Sequence, residues 1–422
     1  MPAHAKKTPQ IPIRADTNNT QHEFWADRCV CPKYTDNIII TMKNSIDKEN
    51  IGWIDALRIT ACVTVVFAHC CDPFVAQFDA NRGMFLTGVF LGSLTRPCVP
   101  LFVMMTAVLL LPIKQDNNYG GFCRKRIGRL LTPLFFWSIA LPLLAFCYFT
   151  YINPDTANLQ LSADEYTASN LITRLYTFIF NFNFDTIPLW YLYMLIGLYL
   201  IMPIINAWLV NAERKEIRQL LRIWGVTLLL PYIKMVAPAL GYKGNYGHMG
   251  ILGECDWNVY GTFYYVSGFI GYMILAYYLK KYPLQWSWKK MAAICIPMFL
   301  VGYAITSVGY IITNNHYPGN YAYLEILWYF TGINVFMMTF PVFVVIQKIN
   351  AKPRQWMQKA ASLTFGVYLC HFTFTFVSYD LYDTPTLPYV VRILLAAATT
   401  LAISLAITWT MSKFALTRRF IK

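Results

Sequence analysis

The first long apolar run of this 422-residue chain carries three groups able to do chemistry: a carboxylate at Asp55, a guanidinium at Arg58 and an imidazole at His69. An ionisable side chain at the centre of a bilayer costs on the order of 3 kcal/mol or more unless it is paired or hydrated. Asp55 and Arg58 are three residues apart and can meet on one helix face. Arg58 and His69 are eleven apart; at about 100° per residue that is three turns plus roughly 20°, and about 16 Å of axial rise. The spacing predicts one polar stripe, with a paired arginine near one end of the helix and a histidine well into its other half. Imidazole changes charge near neutral pH and is the commonest general base. Interfacial anchoring by snorkelling accounts for Asp55 and Arg58 equally well; it accounts less well for His69.

Further groups stand elsewhere. Arg126 and Arg129 are three apart at the start of a later apolar run, beside Arg124 and Lys125. Guanidinium groups in this arrangement suit phosphate oxygens, although a plain excess of basic residues at a membrane face would look the same. Near the C-terminus, Tyr368 and His371 lie one turn apart, either as site groups or as a helix-packing hydrogen bond. Trp190 stands where a sugar-stacking surface or an aromatic belt is expected, the belt being the better reading. Glu325, Arg96 and Asp185 are expected near the outer face, as acceptor contacts or as interfacial residues. The chain has no Walker-type glycine loop, no Gly-x-Ser-x-Gly elbow and no paired metal-binding histidines. Cys29 and Cys31 lack the second pair that tetrahedral coordination requires, so no metal is expected.

The elements that must carry these groups follow from composition. The chain is 57% apolar and 13% charged, against about a quarter charged in an ordinary soluble domain. Its net charge of +14 sits in short connectors between apolar runs, which fits membrane orientation better than nucleic-acid binding. Apolar runs near 53–73, 90–112, 130–151, 188–209, 219–240, 257–279, 291–313, 324–347, 360–379 and 389–412 are each about the length needed to span the hydrocarbon core. The expected fold is an all-α polytopic membrane protein of about ten transmembrane helices. Thr95-Arg96-Pro97 interrupts the second run, leaving 85–94 as a half-helix or re-entrant piece. Alternate connectors are basic: Lys114 with Arg124 to Arg129, then Arg214 to Arg222, Lys280 to Lys290, Lys348 to Lys359, and Lys413 to Lys422. The intervening connectors hold only Arg82 and Arg96, Arg174, and Lys243. The positive-inside rule therefore sets both termini in the cytoplasm. Residues 1–50 are expected to be a polar, disordered tail without a signal-peptide core, and 413–422 a basic cytoplasmic end. The long outer connector, 152–187, carries Asp155, Asp164, Glu165 and Asp185, and its segment 171–180 is predicted to be a short amphipathic helix.

These residues in this order resemble the acyltransferase 3 integral-membrane acyltransferases, especially the branch that includes the enterobacterial common antigen O-acetyltransferase. The resemblance rests on Asp55, Leu57, Arg58 and His69; on Val99-Pro100-Leu101-Phe102-Val103-Met104-Met105, with Thr106-Ala107 where the family has Ser-Gly; on Arg126 and Arg129; on Leu189-Trp190-Tyr191-Leu192 with Pro203; and on Thr364, Gly366, Tyr368 and His371, with Thr for Ser. It covers about 51–412. It implies transfer of an acyl group, most often acetyl, from cytoplasmic acyl-CoA to a hydroxyl of a cell-surface polysaccharide or lipid-linked glycan, at the bacterial inner membrane. Under that reading His69, Arg58 and Asp55 are catalytic, Arg126, Arg129 and Arg124 bind the donor, and His371, Tyr368, Glu325 and Trp190 are secondary candidates. The competing class is a transporter or flippase for a lipid-linked sugar or polar metabolite, which ten spans with buried charges would also suit.

Overall fold

The computed structural model describes residues 51–113, 118–161, 165–178, 183–241, 253 and 261–421. The tail 1–50 with Cys29 and Cys31, and also Lys114, Asp164, Lys243 and Lys422, lie outside the described residues. Among those described, the chain is helical and contains no strand. Helix α1 (Ile51–Val75) is followed by α2 (Arg82–Leu94) and α3 (Cys98–Leu110), then α4 (Tyr119–Cys147). Next come the loop helix α5 (Ala168–Thr177), α6 (Trp190–Asn211), α7 (Arg214–Thr227) and α8 (Leu230–Ala239). The chain continues through α9 (Phe269–Lys281), α10 (Trp288–His316), α11 (Tyr321–Trp328), α12 (Ile333–Ile349), α13 (Gln355–Tyr382) and α14 (Tyr389–Lys413).

Nine helical stretches among the described residues are long and apolar enough to cross a membrane. They occupy nine of the ten expected positions. The sixth position, 257–279, is filled in part by α9, whose 13 residues rise about 20 Å. Gly268, at φ +80°, stops that helix from extending toward the N-terminus. Every residue from Gly271 to Leu279 is buried, so this short helix is shielded by its neighbours from the lipid that would otherwise demand full length. The predicted loop helix at 171–180 forms as α5, three residues earlier at each end.

Helix α1 lies at the centre and is packed by α2, α3, α12, α13 and α14. Its apolar positions explain this: Leu57, Ala61, Val65 and Val66 are buried, at i, i+4, i+8 and i+9, which makes a broad core-facing stripe. Small residues bring the neighbours close. A Cβ on Gly88 of α2 would lie 2.7 Å from the Val75 amide nitrogen and 2.8 Å from the Phe74 Cβ. A Cβ on Gly366 of α13 would lie 2.4 Å from the Thr408 Cγ2 on α14, which gives the motif glycine a packing role.

Two membrane crossings are broken. Residues 95–97 interrupt the first between α2 and α3, as the sequence predicts, and residues 329–332 interrupt the second between α11 and α12. Carbonyls freed by such breaks need donors. Asn334 Nδ2 donates to Leu327 O at 2.6 Å, Arg96 Nη2 to Trp328 O at 3.0 Å, and Tyr272 Oη to Phe330 O at 3.0 Å. The first break thus supplies a side chain that satisfies the second.

Gly88→Ala should lower the unfolding free energy by roughly 1–3 kcal/mol, the usual cost of overpacking. Gly128→Ala, with open space where its Cβ would go, should not. Thermal unfolding of the two purified variants in detergent measures the difference.

Candidate functional site

Asp55 is buried on the first turns of α1, and its Oδ1 lies 3.8 Å from Arg58 Nη1. The expected i,i+3 pair is therefore made. The Asp55 Oδ2 is buried without a hydrogen-bond partner among the described residues. Arg58 faces a cavity of about 480 Å³ that is also lined by Arg126 and Arg129 of α4 and by Tyr368 of α13. Two separate helices thus present three guanidinium groups to one space. Thr106 and Thr364, the two hydroxyl residues at altered motif positions, line it as well. Arg124, named with Arg126 and Arg129 from sequence, is exposed and outside this lining; on a helix it is displaced by about 200° from Arg126. The basic C-terminal segment packs back against α4. Phe420 stacks on Phe136 at 4.2 Å, its carbonyl accepts from Trp137 Nε1 at 2.9 Å, and Ile421 joins the cavity wall.

At the inner end of the cavity stand three buried rings, Phe102, Tyr191 and Tyr368, with centroids 5.6–5.9 Å apart. The Tyr368 hydroxyl donates to the Pro188 carbonyl. Beyond Tyr368 lies His371, at 5.9 Å between ring centroids, and beyond His371 lies His69, at 5.3 Å. The structure brings His69 to Tyr368 and His371, which lie 299 and 302 residues further along the chain. His371 is fully buried. Its Nδ1 lies 2.7 Å from the Tyr368 carbonyl, an acceptor only, so Nδ1 carries the proton. Its Nε2, then a bare acceptor, has no partner among the described residues.

His69 has a partner that sequence reasoning missed. Its Nδ1 lies 2.7 Å from Asp72 Oδ2, and the two side chains are each about one-fifth exposed. The carboxylate accepts a hydrogen bond from Nδ1–H, which leaves Nε2 free to accept a proton, as in hydrolase triads. The signal was available, because Asp72 follows His69 at the same i,i+3 spacing that links Asp55 and Arg58.

The remaining candidates are dispersed. Trp190 is half-buried and stacks on Phe330 at 5.7 Å with 17° between planes; it packs inside the protein. Glu325 is exposed on α11. Asp185 is fully buried and paired with Arg174 at 2.9 Å, and Arg174 also reaches Glu165 at 3.1 Å. That network clips the outer connector to itself. Asp380 on α13 holds the connector down, accepting from Tyr148, Asn153 and Thr156 at 2.7–2.9 Å. Arg96 lies at the helix break, with its guanidinium between the rings of Trp328 and Phe330. No group of three or more potential metal ligands occurs among the described residues.

Residues 51–409 match a family model described as an acyltransferase domain, acyltransferase 3. No curated protein and no solved structure matched this chain. The match covers most of the chain and takes in α1 with its carboxylates, guanidinium and imidazole. This multi-pass membrane protein therefore belongs to the acyltransferase 3 family.

Proposed function

We propose that this acyltransferase moves an acyl group, acetyl in the first instance, from cytoplasmic acyl-CoA to a hydroxyl of a cell-surface polysaccharide or lipid-linked glycan, in the inner membrane of a bacterium. The observation that carries the reading is the cavity where Arg58, Arg126 and Arg129 converge, continued by Tyr368 and His371 to the His69–Asp72 pair. Three guanidinium groups are more than a neutral ligand requires, and they suit the phosphates of CoA. The basic connectors support a cytoplasmic position for that mouth.

Asp72 fixes the tautomer and orientation of His69. The His69 Nε2 then removes the proton from the acceptor hydroxyl as its oxygen attacks the thioester carbon. Asp55 holds Arg58 at the donor side. His371, locked by the Tyr368 carbonyl, keeps its ring against His69 and limits the positions that imidazole can take.

The paired helix breaks also suit a transporter for a lipid-linked sugar. Consumption of the thioester separates the two readings. Membranes containing the protein, supplied with radiolabelled acetyl-CoA, should place label in alkali-labile esters of the glycan fraction, and control membranes should not. A transporter would leave the thioester intact.

His69→Ala and Asp72→Asn should each reduce this transfer by roughly 10²–10⁴-fold, with protein abundance in the membrane unchanged; transfer at the wild-type rate in either variant would refute its assignment. Arg126→Ala and Arg129→Ala should each raise the KM for acetyl-CoA by roughly tenfold, matching the loss of a hydrogen bond between charged groups. Arg124→Ala should change it less than threefold. Initial rates against acetyl-CoA concentration give these values.

A further inference from the structure

Acyl transfer places negative charge on the carbonyl oxygen of the attacked thioester, and that charge needs a nearby donor. Arg58 lines the donor cavity, about 16 Å of helix rise from His69, so one side chain cannot serve both places. Arg96 is differently situated. Gly92, one turn before it on α2, packs against Cys71 of α1 and against Trp328; a Cβ there would lie 3.3 Å from an atom of each. Cys71 immediately precedes Asp72, so the break after α2 lies along the stretch of α1 that carries the His69–Asp72 pair. Asp72, Tyr310 and Glu325 are the surrounding titratable oxygen groups with which Arg96 interacts electrostatically.

The geometry of the guanidinium limits what it can bind. Its central carbon lies over the Trp328 ring, 4.7 Å from the centroid, and over the Phe330 ring at 4.5 Å. Phe330 is backed by Trp190, and Trp328 by Tyr310 at 4.6 Å. With these rings packed on it, the group presents its N–H edge to any ligand. Nη2 is committed to the Trp328 carbonyl. Nε is buried and has no hydrogen-bond partner among the described residues. An edge of planar N–H donors, with its charge unquenched by a direct ion pair in the structure, matches a single oxyanion or a carboxylate.

We propose that Arg96 is a catalytic residue whose unpartnered Nε–H edge holds the oxyanion formed on the acyl carbonyl; this rests on the acyl-transfer reading above. The acceptor oxygen bonds to the carbonyl carbon while its proton passes to His69 Nε2. The carbonyl π pair moves onto the oxygen facing Arg96. When the C=O bond re-forms, the C–S bond breaks, and the CoA sulfur leaves with the proton returned by His69. No metal or redox partner enters the balance.

The test uses the full-length protein in membranes, radiolabelled acetyl-CoA, and label in alkali-labile glycan esters, together with CoA binding to the purified variants. Arg96→Ala should lower the maximal rate by roughly 10²-fold, with CoA affinity within threefold of wild type, and millimolar guanidinium chloride should restore part of the rate in that variant alone. Arg96→Lys, which can still donate to the Trp328 carbonyl, should remain at least tenfold impaired. Full activity of Arg96→Lys, or an Arg96→Ala rate within threefold of wild type, would reduce Arg96 to a helix cap and overturn the inference. Loss of CoA binding together with activity in Arg96→Ala would overturn it too. Wild-type membranes that transfer no label would instead remove the acyl-transfer reading itself.

Discussion

The hydrogen bond between His69 and Asp72 depends on, and in turn constrains, everything packed around α1. A carboxylate and an imidazole set this far along a membrane helix are tolerated only where protein or water, rather than acyl chains, surrounds them. Five helices enclose α1 for this reason. The glycines at 88, 92 and 366 draw those helices close, and the clipped outer connector covers one end. The bundle is the enclosure in which such a pair is tolerated.

The two broken crossings obey the same constraint. A continuous helix satisfies its own carbonyls, whereas a broken one must borrow donors from neighbours. Here the donors converge on the second break: Arg96 from the first break caps Trp328, and Asn334 and Tyr272 cover the carbonyls of Leu327 and Phe330. An interrupted helix in the membrane interior gives up some local stability. In exchange it sets a side chain at a depth and angle that an unbroken helix would direct elsewhere.

Much of this architecture was legible in the sequence. Run length and connector charge gave the crossings, and Thr95-Arg96-Pro97 marked the first break. The sixth expected span is met among the described residues by the 13-residue α9, because hydropathy counts apolar residues and does not register that Gly268 adopts a positive φ. The polar stripe on α1 was only half right. Periodicity correctly put Arg58 and His69 on related faces, but it carries no information about the rings of Tyr368 and His371 that stand between the cavity and His69. Those arrive from α13, some 300 residues away. Asp72 was readable from its i,i+3 spacing to His69 alone. Asp185 looked like an outward-facing acid, and its burial depends on Arg174, a tertiary partner that no local pattern announces.

The trio of Phe102, Tyr191 and Tyr368 has a consequence for the cell as well as for the chemistry. A bilayer at work sustains a voltage, worth about 2.3 kcal/mol per elementary charge for each 100 mV, and any continuous aqueous thread through a protein would discharge it. Phe102, Tyr191 and Tyr368 pack ring to ring in the wall of the arginine-lined cavity. Rings clustered in this way narrow the path that water could follow, which favours a molecule that reaches into the insulating layer without short-circuiting it.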